Sequence, residues 1–365
     1  MPTRHPAAAR RERRDPHPRI AVFRALQLGD LLCAVPALRA LRHALPAARI
    51  TLIGLPWAAD FARRISYVDD FLEFPGFPGL PEKEPDPAAL PNFFAEARRR
   101  RFHLAIQMHG SGGITNPLVA QLEAEHTAGF VVPGSWCPEP EFFIPWPEAL
   151  PETRRLLALA EHLGAPPQGE QAELPLLPGE RAAFTDLRSR LPVGERGYVC
   201  IHPGARLPSR RWGEERFARV ADGLAADGLA VVLTGTREEG PLLARLQAAM
   251  ATPAIDLAGH TSLGTLAALV AEARLVVCND TGMSHVAAAV GTPSVVVACG
   301  SDPGRWRPLD EARHRVLWHP VACRPCLFEH CPTGHECAAG VAAEAVLAEA
   351  RRLLAESLEK PHVIS

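Results

Sequence analysis

The sequence has no long apolar run and no marked excess of charge of either sign. No stretch approaches the roughly 18 apolar residues that cross a bilayer, and the first residues lack the apolar segment of a secretory signal. The formal net charge of -2 over 365 residues gives no sign of a nucleic-acid-binding protein. We therefore expect a cytoplasmic protein that has no nucleic-acid partner.

Two common nucleotide-binding motifs are also missing. No GxGxxG follows the first predicted strand, and no Walker lysine is present. These absences argue against a nicotinamide dinucleotide and against a hydrolysed triphosphate. A diphosphate in this protein would have to be held by helix ends and arginine side chains.

The length favours two domains rather than one. Apolar residues make up 47% of the chain and charged residues 22%, a globular composition, and 365 residues suit two domains of roughly 150 to 200 residues each. The segment that ends at Arg19 carries six arginines, and we predict a disordered basic tail over residues 1–18. This tail either touches anionic lipid head groups or is simply solvated.

Strand and helix patterns alternate on both sides of a proline-rich interval. Short apolar runs such as RIAVFRAL and ARITLIGL predict an N-terminal Rossmann-like domain over residues 19–165. Residues 166–194 lack periodicity and are predicted to be a linker. Residues 195–345 predict a second doubly wound α/β domain, and residues 346–365 a C-terminal helix and tail. Two such domains predict a ligand cleft between the carboxyl ends of their strands.

The stretch LVVCNDTGMSH begins as a buried strand and then changes into small and polar residues. The N–H groups of Thr281, Gly282 and Met283 would open a helix and bind an anion, and His285 could add a further donor. Asp280 would repel a phosphate, so its predicted partner is a sugar rich in hydroxyl groups. Alternatively, Asp280 is an N-cap residue and His285 an ordinary half-buried helix residue.

A second loop, IHPGARLPSRRW, also suits an anion. It leaves a strand through Gly204 and brings Arg206, Arg210 and Arg211 together, and guanidinium groups pair with phosphate bidentately. The alternative is a solvated basic loop. In the later stretch LTGTREE, Glu238 and the glutamate after it could bind ribose hydroxyls or could be ordinary first-turn acids.

The third candidate site is QLGDLL in the first predicted domain. Gly29 would permit a sharp turn, and Asp30 would stand at the head of a helix that faces the cleft. A carboxylate there can act as general base on an incoming hydroxyl. The alternative is a first-turn aspartate favoured by the helix dipole.

The nine cysteines fall into two groups. Five are scattered, mostly within apolar runs, and are predicted to be small core residues. The other four cluster near the C-terminus with histidines between them: Cys323, Cys326, Cys331 and Cys337. They could hold a structural zinc, pack locally as reduced thiols, or pair in a redox reaction.

Several motifs, taken in order, resemble the glycosyltransferases of family 9, which include the ADP-heptose:lipopolysaccharide heptosyltransferases. They are LQLGDLLCAVPALRALR, IHPGARLPSRRWGEERFARVADGL, LTGTREE, the stretch from DLAGHTSLGTL to GSDPGRW, and CRPCLFEHCP. The resemblance implies a GT-B fold of two Rossmann-like domains facing across a cleft, with the nucleotide sugar held mainly by the second. It also implies an inverting transfer that needs no essential metal or other cofactor.

The resemblance assigns roles to particular residues. Asp30 matches the catalytic base of the family, and Asp280 matches the residue that holds the donor sugar. The residues around the diphosphate are matched by Thr281, Gly282 and His285. One departure is clear, because the family usually has lysine in the phosphate loop where this chain has Arg210 and Arg211.

The predicted function is therefore an inverting transfer of heptose from ADP-heptose to a lipopolysaccharide core or a related lipid-linked glycan. The enzyme would work in the cytoplasm, at the inner face of the cytoplasmic membrane. Two alternatives remain open from the sequence. One is a nucleotide-sugar epimerase of GT-B build, and the other is a nucleotide-sugar-binding protein without turnover.

Overall fold

A computed structural model describes residues 17–358 of the chain. The chain divides into two compact units, and the division falls between Ala172 and Glu173. This position lies within the interval predicted as a linker. Most of the predicted basic tail and the end of the predicted C-terminal tail lie outside the described residues.

The first unit is a parallel sheet covered on both faces. Its strand order is β3-β2-β1-β4-β5-β6. The strands are β1 (Arg19–Phe23), β2 (Arg49–Gly54), β3 (Asp70–Glu73), β4 (Leu104–Gln107), β5 (His126–Val131) and β6 (Phe143–Pro145), and the helices are α1 (Leu28–Ala44), α2 (Ala58–Ala62), α3 (Leu90–Arg99), α4 (Thr115–Ala120) and α5 (Glu152–His162). Ile20 and Val22 pack into one apolar cluster and Ala21 and Phe23 into another. The continuous apolar run of β1 is thereby explained, since both faces of the strand are buried.

The helix that carries Asp30 begins earlier than the apolar pattern suggested. It starts at Leu28, so Gly29 lies within its first turn and has no positive φ. The predicted sharp turn at Gly29 is therefore wrong. Pro36 lies in the middle of this helix and is buried, although proline is better tolerated in a first turn.

The second unit repeats the same winding. Its sheet is parallel with the order β12-β11-β10-β7-β8-β9, which is the doubly wound order when read from β7. The strands are β7 (Tyr198–His202), β8 (Ala230–Leu233), β9 (Ile255–Asp256), β10 (Leu275–Asn279), β11 (Ser294–Val297) and β12 (His314–Leu317). The helices are α6 (Pro178–Ser189), α7 (Glu214–Ala226), α8 (Gly240–Ala249), α9 (Leu263–Glu272), α10 (Gly282–Val290), α11 (Pro303–Trp306), α12 (Glu336–Ala339) and α13 (Ala343–Leu358).

Two helices of this unit differ from the predicted domain organisation. Helix α6 occupies part of the predicted linker and packs against α9. Helix α13 spans the predicted boundary at residue 345 and packs into the core through Val346, Ala350 and Leu353. Both helices thus belong to the folded second unit.

A bilayer-spanning helix is not found between residues 17 and 358, where every helix is too short or too polar for that role.

Candidate active site

Asn279, the last residue of β10, hydrogen-bonds to the loop that follows β7. Asn279 is fully buried. Its Oδ1 accepts a hydrogen bond from the Trp212 backbone N–H at 3.1 Å, and its Nδ2 donates to the carbonyls of Pro203 at 2.7 Å and Gly204 at 3.3 Å. The loop after β7 is therefore held against the end of β10 by one amide side chain.

Asn279→Ala should destabilise the second unit by about 2–4 kcal/mol, because two buried backbone groups, one at Trp212 and one at Pro203, would lose their partners. Thermal unfolding of the variant measures this loss. Asn92→Ala, on the exposed face of α3, is a control that should leave the melting temperature unchanged. A melting temperature of Asn279→Ala equal to that of the wild type would show that Asn279 does not fasten the loop.

Helix α10 begins two residues after Asp280. The N-cap residue is Thr281, in extended conformation, and Gly282 is the first helical residue. Asp280 instead continues the sheet, because its N–H donates to the carbonyl of Val297 at 3.1 Å. The interpretation of Asp280 as an N-cap is thus wrong, and its carboxylate remains available for another role.

The Asp280 carboxylate lies in an enclosed, positively charged environment. Its Oδ2 is buried and has no hydrogen-bond donor among the described residues. Burial raises the pKa of Asp280, while the neighbouring Ser301 hydroxyl and the charges of His285, Arg210 and Arg324 act in the opposite direction. A buried acceptor oxygen near two guanidinium groups and a histidine suits a ligand that brings both hydroxyl groups and negative charge.

Asp280→Asn should change how stability depends on pH. Because the folded protein raises the pKa of Asp280 above its ordinary value of 3.8, the folded state loses stability relative to the unfolded state as pH rises from about 4 through the folded pKa. Asparagine does not ionise. The melting temperature of the variant relative to wild type should therefore increase as pH rises from 3.5 to 7.

A matched control with the opposite sign is Asp222→Asn. Burial acts to raise the pKa of Asp222, but hydrogen bonds from Ala251 and Thr252 outweigh it, so the pKa of Asp222 is lowered. This carboxylate stabilises the folded state above its unfolded pKa, and the stabilisation is lost as pH falls. Asp222→Asn should become less stable relative to wild type as pH rises, and parallel trends in the two variants would contradict the assignment.

The structure separates the three arginines of the loop after β7. Arg210 is close enough to Asp280 to lower its pKa by charge, and its Nη2 donates to the carbonyl of Cys326 at 3.1 Å. Arg211 instead donates to the carbonyl of Ala205 at 3.1 Å, and Arg206 is exposed. Arg210 is therefore the loop arginine that belongs to the Asp280 environment.

The cysteine-rich segment, residues 323–337, holds this loop from the other side. The Ser209 N–H donates to the carbonyl of Glu329 at 3.0 Å, and the Ser209 hydroxyl donates to the carbonyl of Phe328. His335 Nε2 lies 2.7 Å from the carbonyl oxygen of Ser209. The segment thus fixes the backbone on which Arg210 stands.

Arg324 is a site residue that the sequence reasoning missed. Its guanidinium donates to the carbonyls of Ala298 at 3.0 Å and Cys299 at 2.6 Å, just beyond β11, and also to the carbonyl of Ser301. Its charge is among those that lower the pKa of Asp280. Its position in the cysteine-rich segment, far from Asp280 in the sequence, gave no signal of this role.

Glu238 and its neighbour Glu239 differ in their surroundings. Glu238 is exposed. The Glu239 carboxylate accepts a hydrogen bond from the Thr236 N–H at 2.8 Å and lies so close to Gly204 that an added Cβ would meet it at 2.0 Å. A larger residue at position 204 would displace the Glu239 carboxylate, so Glu239, rather than Glu238, is the acid that packs on the loop.

The cysteines show no metal-binding geometry. Within residues 17–358, no group of three or more Cys, His, Asp or Glu side chains is arranged to hold a metal ion. All nine cysteines are unpaired by disulfides; Cys323 is exposed, Cys331 is half-buried, and Cys326 and Cys337 are buried.

Asp30 lies in the first turn of α1, in the first unit. Its carboxylate accepts a hydrogen bond from the Gln27 N–H at 3.2 Å, and about a fifth of its side chain is exposed. Arg24 Nη2 lies 3.9 Å from the other carboxylate oxygen. Asp30 is thus a fixed and accessible carboxyl group at the carboxyl end of β1.

The second unit brings most of the predicted donor residues into one neighbourhood. Asp280, Thr281 and Gly282 join β10 to α10, while His285 and Arg210 act on Asp280 through their charge. Gly204 lies next to this group, since its carbonyl is bonded to Asn279. Glu238 stands apart on an exposed turn.

Comparison with known proteins gives the family. A model of glycosyltransferase family 9 (heptosyltransferase) matches residues 94–336, about two thirds of the chain. Lipooligosaccharide heptosyltransferase 2 of Haemophilus influenzae is 32% identical over 124 residues, which are 33% of this chain and 36% of that protein. The chain therefore matches little more than a third of the length of this curated relative.

Solved structures establish the fold. The glycosyl transferase family 9 protein of Veillonella parvula has a TM-score of 0.78 at 22% identity, over 93% of this chain and 98% of that chain. The ADP-heptose lps heptosyltransferase II of Escherichia coli has a TM-score of 0.70 at 23% identity, over 93% and 99%. These likenesses and the two doubly wound sheets confirm the predicted GT-B fold, and the family match shows that the chain belongs to glycosyltransferase family 9, the heptosyltransferase family.

Proposed function

We propose that this protein transfers a sugar from a nucleoside-diphosphate donor to a hydroxyl group of a glycan, with inversion at the anomeric carbon. The observation that carries the proposal is the enclosed Asp280 carboxylate, which stands at the start of α10 among Arg210, Arg324 and His285. A group that combines hydroxyls with a diphosphate satisfies both the acceptor oxygen and the surrounding positive charge.

The donor sits on the second unit in this proposal. The first N–H groups of α10 and the side chains of Arg210 and His285 bind the diphosphate, because a helix start and nearby cations favour negative charge. Asp280 accepts hydrogen bonds from the sugar hydroxyls. The tight approach of Glu239 to Gly204 makes Glu239 the candidate acid for the ribose.

Asp30 is the general base of the transfer. The acceptor oxygen attacks the anomeric carbon, the bond from that carbon to the diphosphate oxygen breaks, and the acceptor proton passes to the Asp30 carboxylate. The nucleoside diphosphate leaves with the bonding electrons, and its new charge is stabilised by the α10 start, Arg210 and His285. Cationic side chains thus carry the stabilisation, and the proposal includes no essential metal or other cofactor.

Heptose from ADP-heptose is the proposed donor, and a lipopolysaccharide core or related lipid-linked glycan at the membrane surface is the proposed acceptor. The support is similarity, since the relatives reported above are named as lipooligosaccharide and ADP-heptose lps heptosyltransferases. Family membership points to the same reaction class.

The experiment is to incubate the protein with a panel of nucleoside-diphosphate sugars and truncated core glycans, and to follow masses. The proposal predicts an acceptor heavier by one heptose, formed only with ADP-heptose. A changed sugar without acceptor would indicate an epimerase. Donor binding without a product for any acceptor would indicate a binding protein without turnover.

A further inference from the structure

A buried cluster of charged side chains lies next to Asp30 and joins it to helix α5. Arg24, the residue after β1, is completely buried. Its Nε donates to the main-chain carbonyl of Asp30 at 2.7 Å, and its Nη1 donates to the carbonyl of Met108. The same guanidinium therefore ties the first turn of α1 to the end of β4.

The third nitrogen of Arg24 reaches α5. Its Nη2 donates to Glu152 Oε1 at 3.1 Å and lies 3.9 Å from the Asp30 carboxylate. Glu152 is the first residue of α5 and is only 1% exposed. Among the carboxylates, Arg24 therefore hydrogen-bonds directly to Glu152. It acts on the Asp30 carboxylate only by charge, over the longer distance of 3.9 Å.

Arg155 completes the cluster. Its Nη1 donates to Glu152 Oε2 at 2.9 Å, and its other nitrogens donate to the carbonyls of Pro147 and Glu148, each at 2.9 Å. The guanidinium also lies 4.2 Å from the centre of the Trp146 ring. These contacts fix Glu152, and Glu152 in turn fixes Arg24.

The cluster brings two guanidinium groups together with two carboxylates. Arg24 and Arg155 are positive, and Glu152 and Asp30 are negative when ionised. An uncompensated charge in a buried site is costly. The Arg24 guanidinium, 3.9 Å from the Asp30 carboxylate, therefore favours the ionised form of Asp30, which is the form that accepts a proton.

We propose that Arg24 is a positioning residue for Asp30 and that Glu152 sets how strongly Arg24 acts on it. Arg24 holds the Asp30 backbone in place and keeps its carboxylate charged. Glu152 draws the guanidinium away from a direct ion pair with Asp30, so that the carboxylate can still take a proton from the acceptor. This inference rests on the proposed role of Asp30 as general base.

Two substitutions should move the pH dependence of kcat in opposite directions. Arg24→Gln removes a positive charge beside Asp30, so the acidic limb of the kcat profile should shift to higher pH by about one unit. Glu152→Gln leaves Arg24 with Asp30 as its remaining carboxylate, so the limb should shift to lower pH. At neutral pH we expect kcat to fall by about 10- to 100-fold in Arg24→Gln, with KM for the donor within about threefold.

Two further variants separate positioning from a loss of folding. Arg24→Lys keeps the charge and should restore the pH profile and part of kcat. Arg100→Gln is the matched control, because Arg100 also pairs with two carboxylates, Asp70 at 3.2 Å and Glu96 at 2.9 Å, at the amino end of the same sheet. It should leave the pH profile and kcat unchanged.

Another titratable pair lies near Met108, and its effect on the pH profile must be distinguished from that of Arg24. His109 follows Met108, and its Nε2 lies 3.7 Å from Glu82 Oε2. The Arg24 variants leave both residues in place, so a shift that is reversed by Arg24→Lys comes from Arg24. Circular dichroism and melting temperature, measured on each full-length variant, identify any that fail to fold.

The outcomes are distinct for this inference and for the proposed function. If the wild type transfers sugar and Asp30→Asn is impaired, but folded Arg24→Gln and Glu152→Gln keep the wild-type pH profile, the role of Arg24 is refuted. If the wild type transfers no sugar, the proposed function fails instead. Opposite shifts of the two variants would support the inference.

Discussion

Asp30→Asn should reduce kcat by a factor of about 10² to 10⁴ at saturating donor and acceptor, while donor affinity stays close to that of the wild type. The base acts only while the acceptor hydroxyl attacks, so its loss affects turnover rather than donor binding. The asparagine Oδ1 can still accept the Gln27 N–H, which lies 3.2 Å from the Asp30 carboxylate. The melting temperature should therefore change little.

The measurements are kcat, calorimetric donor affinity and melting temperature, with Asp86→Asn as the matched control. Asp86 is an exposed aspartate of the same unit whose carboxylate accepts the N–H groups of Ala88 and Ala89. Its substitution tests the loss of an ordinary capping charge and should leave kcat unchanged. If Asp30→Asn kept kcat within about threefold of wild type, far short of a lost base, Asp30 would be no more than a first-turn acid.

Asp280→Ala should weaken binding of the nucleotide sugar by about 10- to 100-fold, and binding of the free nucleoside diphosphate much less. The magnitude follows from one or two lost charge-assisted hydrogen bonds of about 1.5–3 kcal/mol each. His285→Ala should weaken both ligands, because this side chain is assigned to the diphosphate. Titration calorimetry with ADP-heptose and ADP compares the two variants.

Asp227→Ala provides the control for charge removal in the second unit. Asp227, the residue after α7, pairs with Arg351 at 2.7 Å, so its loss should not alter either affinity. Equal affinities of wild type, Asp280→Ala and His285→Ala for both ligands would remove the proposed donor site. If Asp280→Ala lost the same affinity for the sugar nucleotide as for the nucleoside diphosphate, the assignment of Asp280 to the sugar would be contradicted.

The sheets were predictable because their strands are buried on both faces. A strand such as Leu275–Asn279, fully buried along its length, must be apolar until the sheet ends. The change to polar residues after Cys278 therefore marked the carboxyl edge, where ligands bind in this class of fold. The same reasoning located the loops after β1 and β7.

Helix α6 could not be predicted from apolar periodicity. Phe184 is its buried residue, and the remaining side chains are at least partly exposed. Proline at the first helical position, here Pro178, was a signal for a helix start that the proline-rich composition concealed. A helix that contributes so little to the core leaves almost no hydrophobic pattern.

The sequence contained a pattern that distinguishes Glu239 from Glu238. Thr236 and Glu239 have the spacing of a capping box, in which the glutamate turns back to the N-cap N–H. That geometry brings Glu239, rather than Glu238, towards Gly204. Arg324 had no such signal, because its partners are backbone carbonyls that only the folded chain brings together.

The measurement that tests the account most directly is the anomeric configuration of the transferred sugar, determined by nuclear magnetic resonance on the product made with ADP-heptose. Attack by a hydroxyl that Asp30 deprotonates displaces the diphosphate in a single step, so the account predicts a configuration opposite to that of the donor. A product that retains the donor configuration would contradict it, since retention requires a mechanism in which Asp30 is not simply the base.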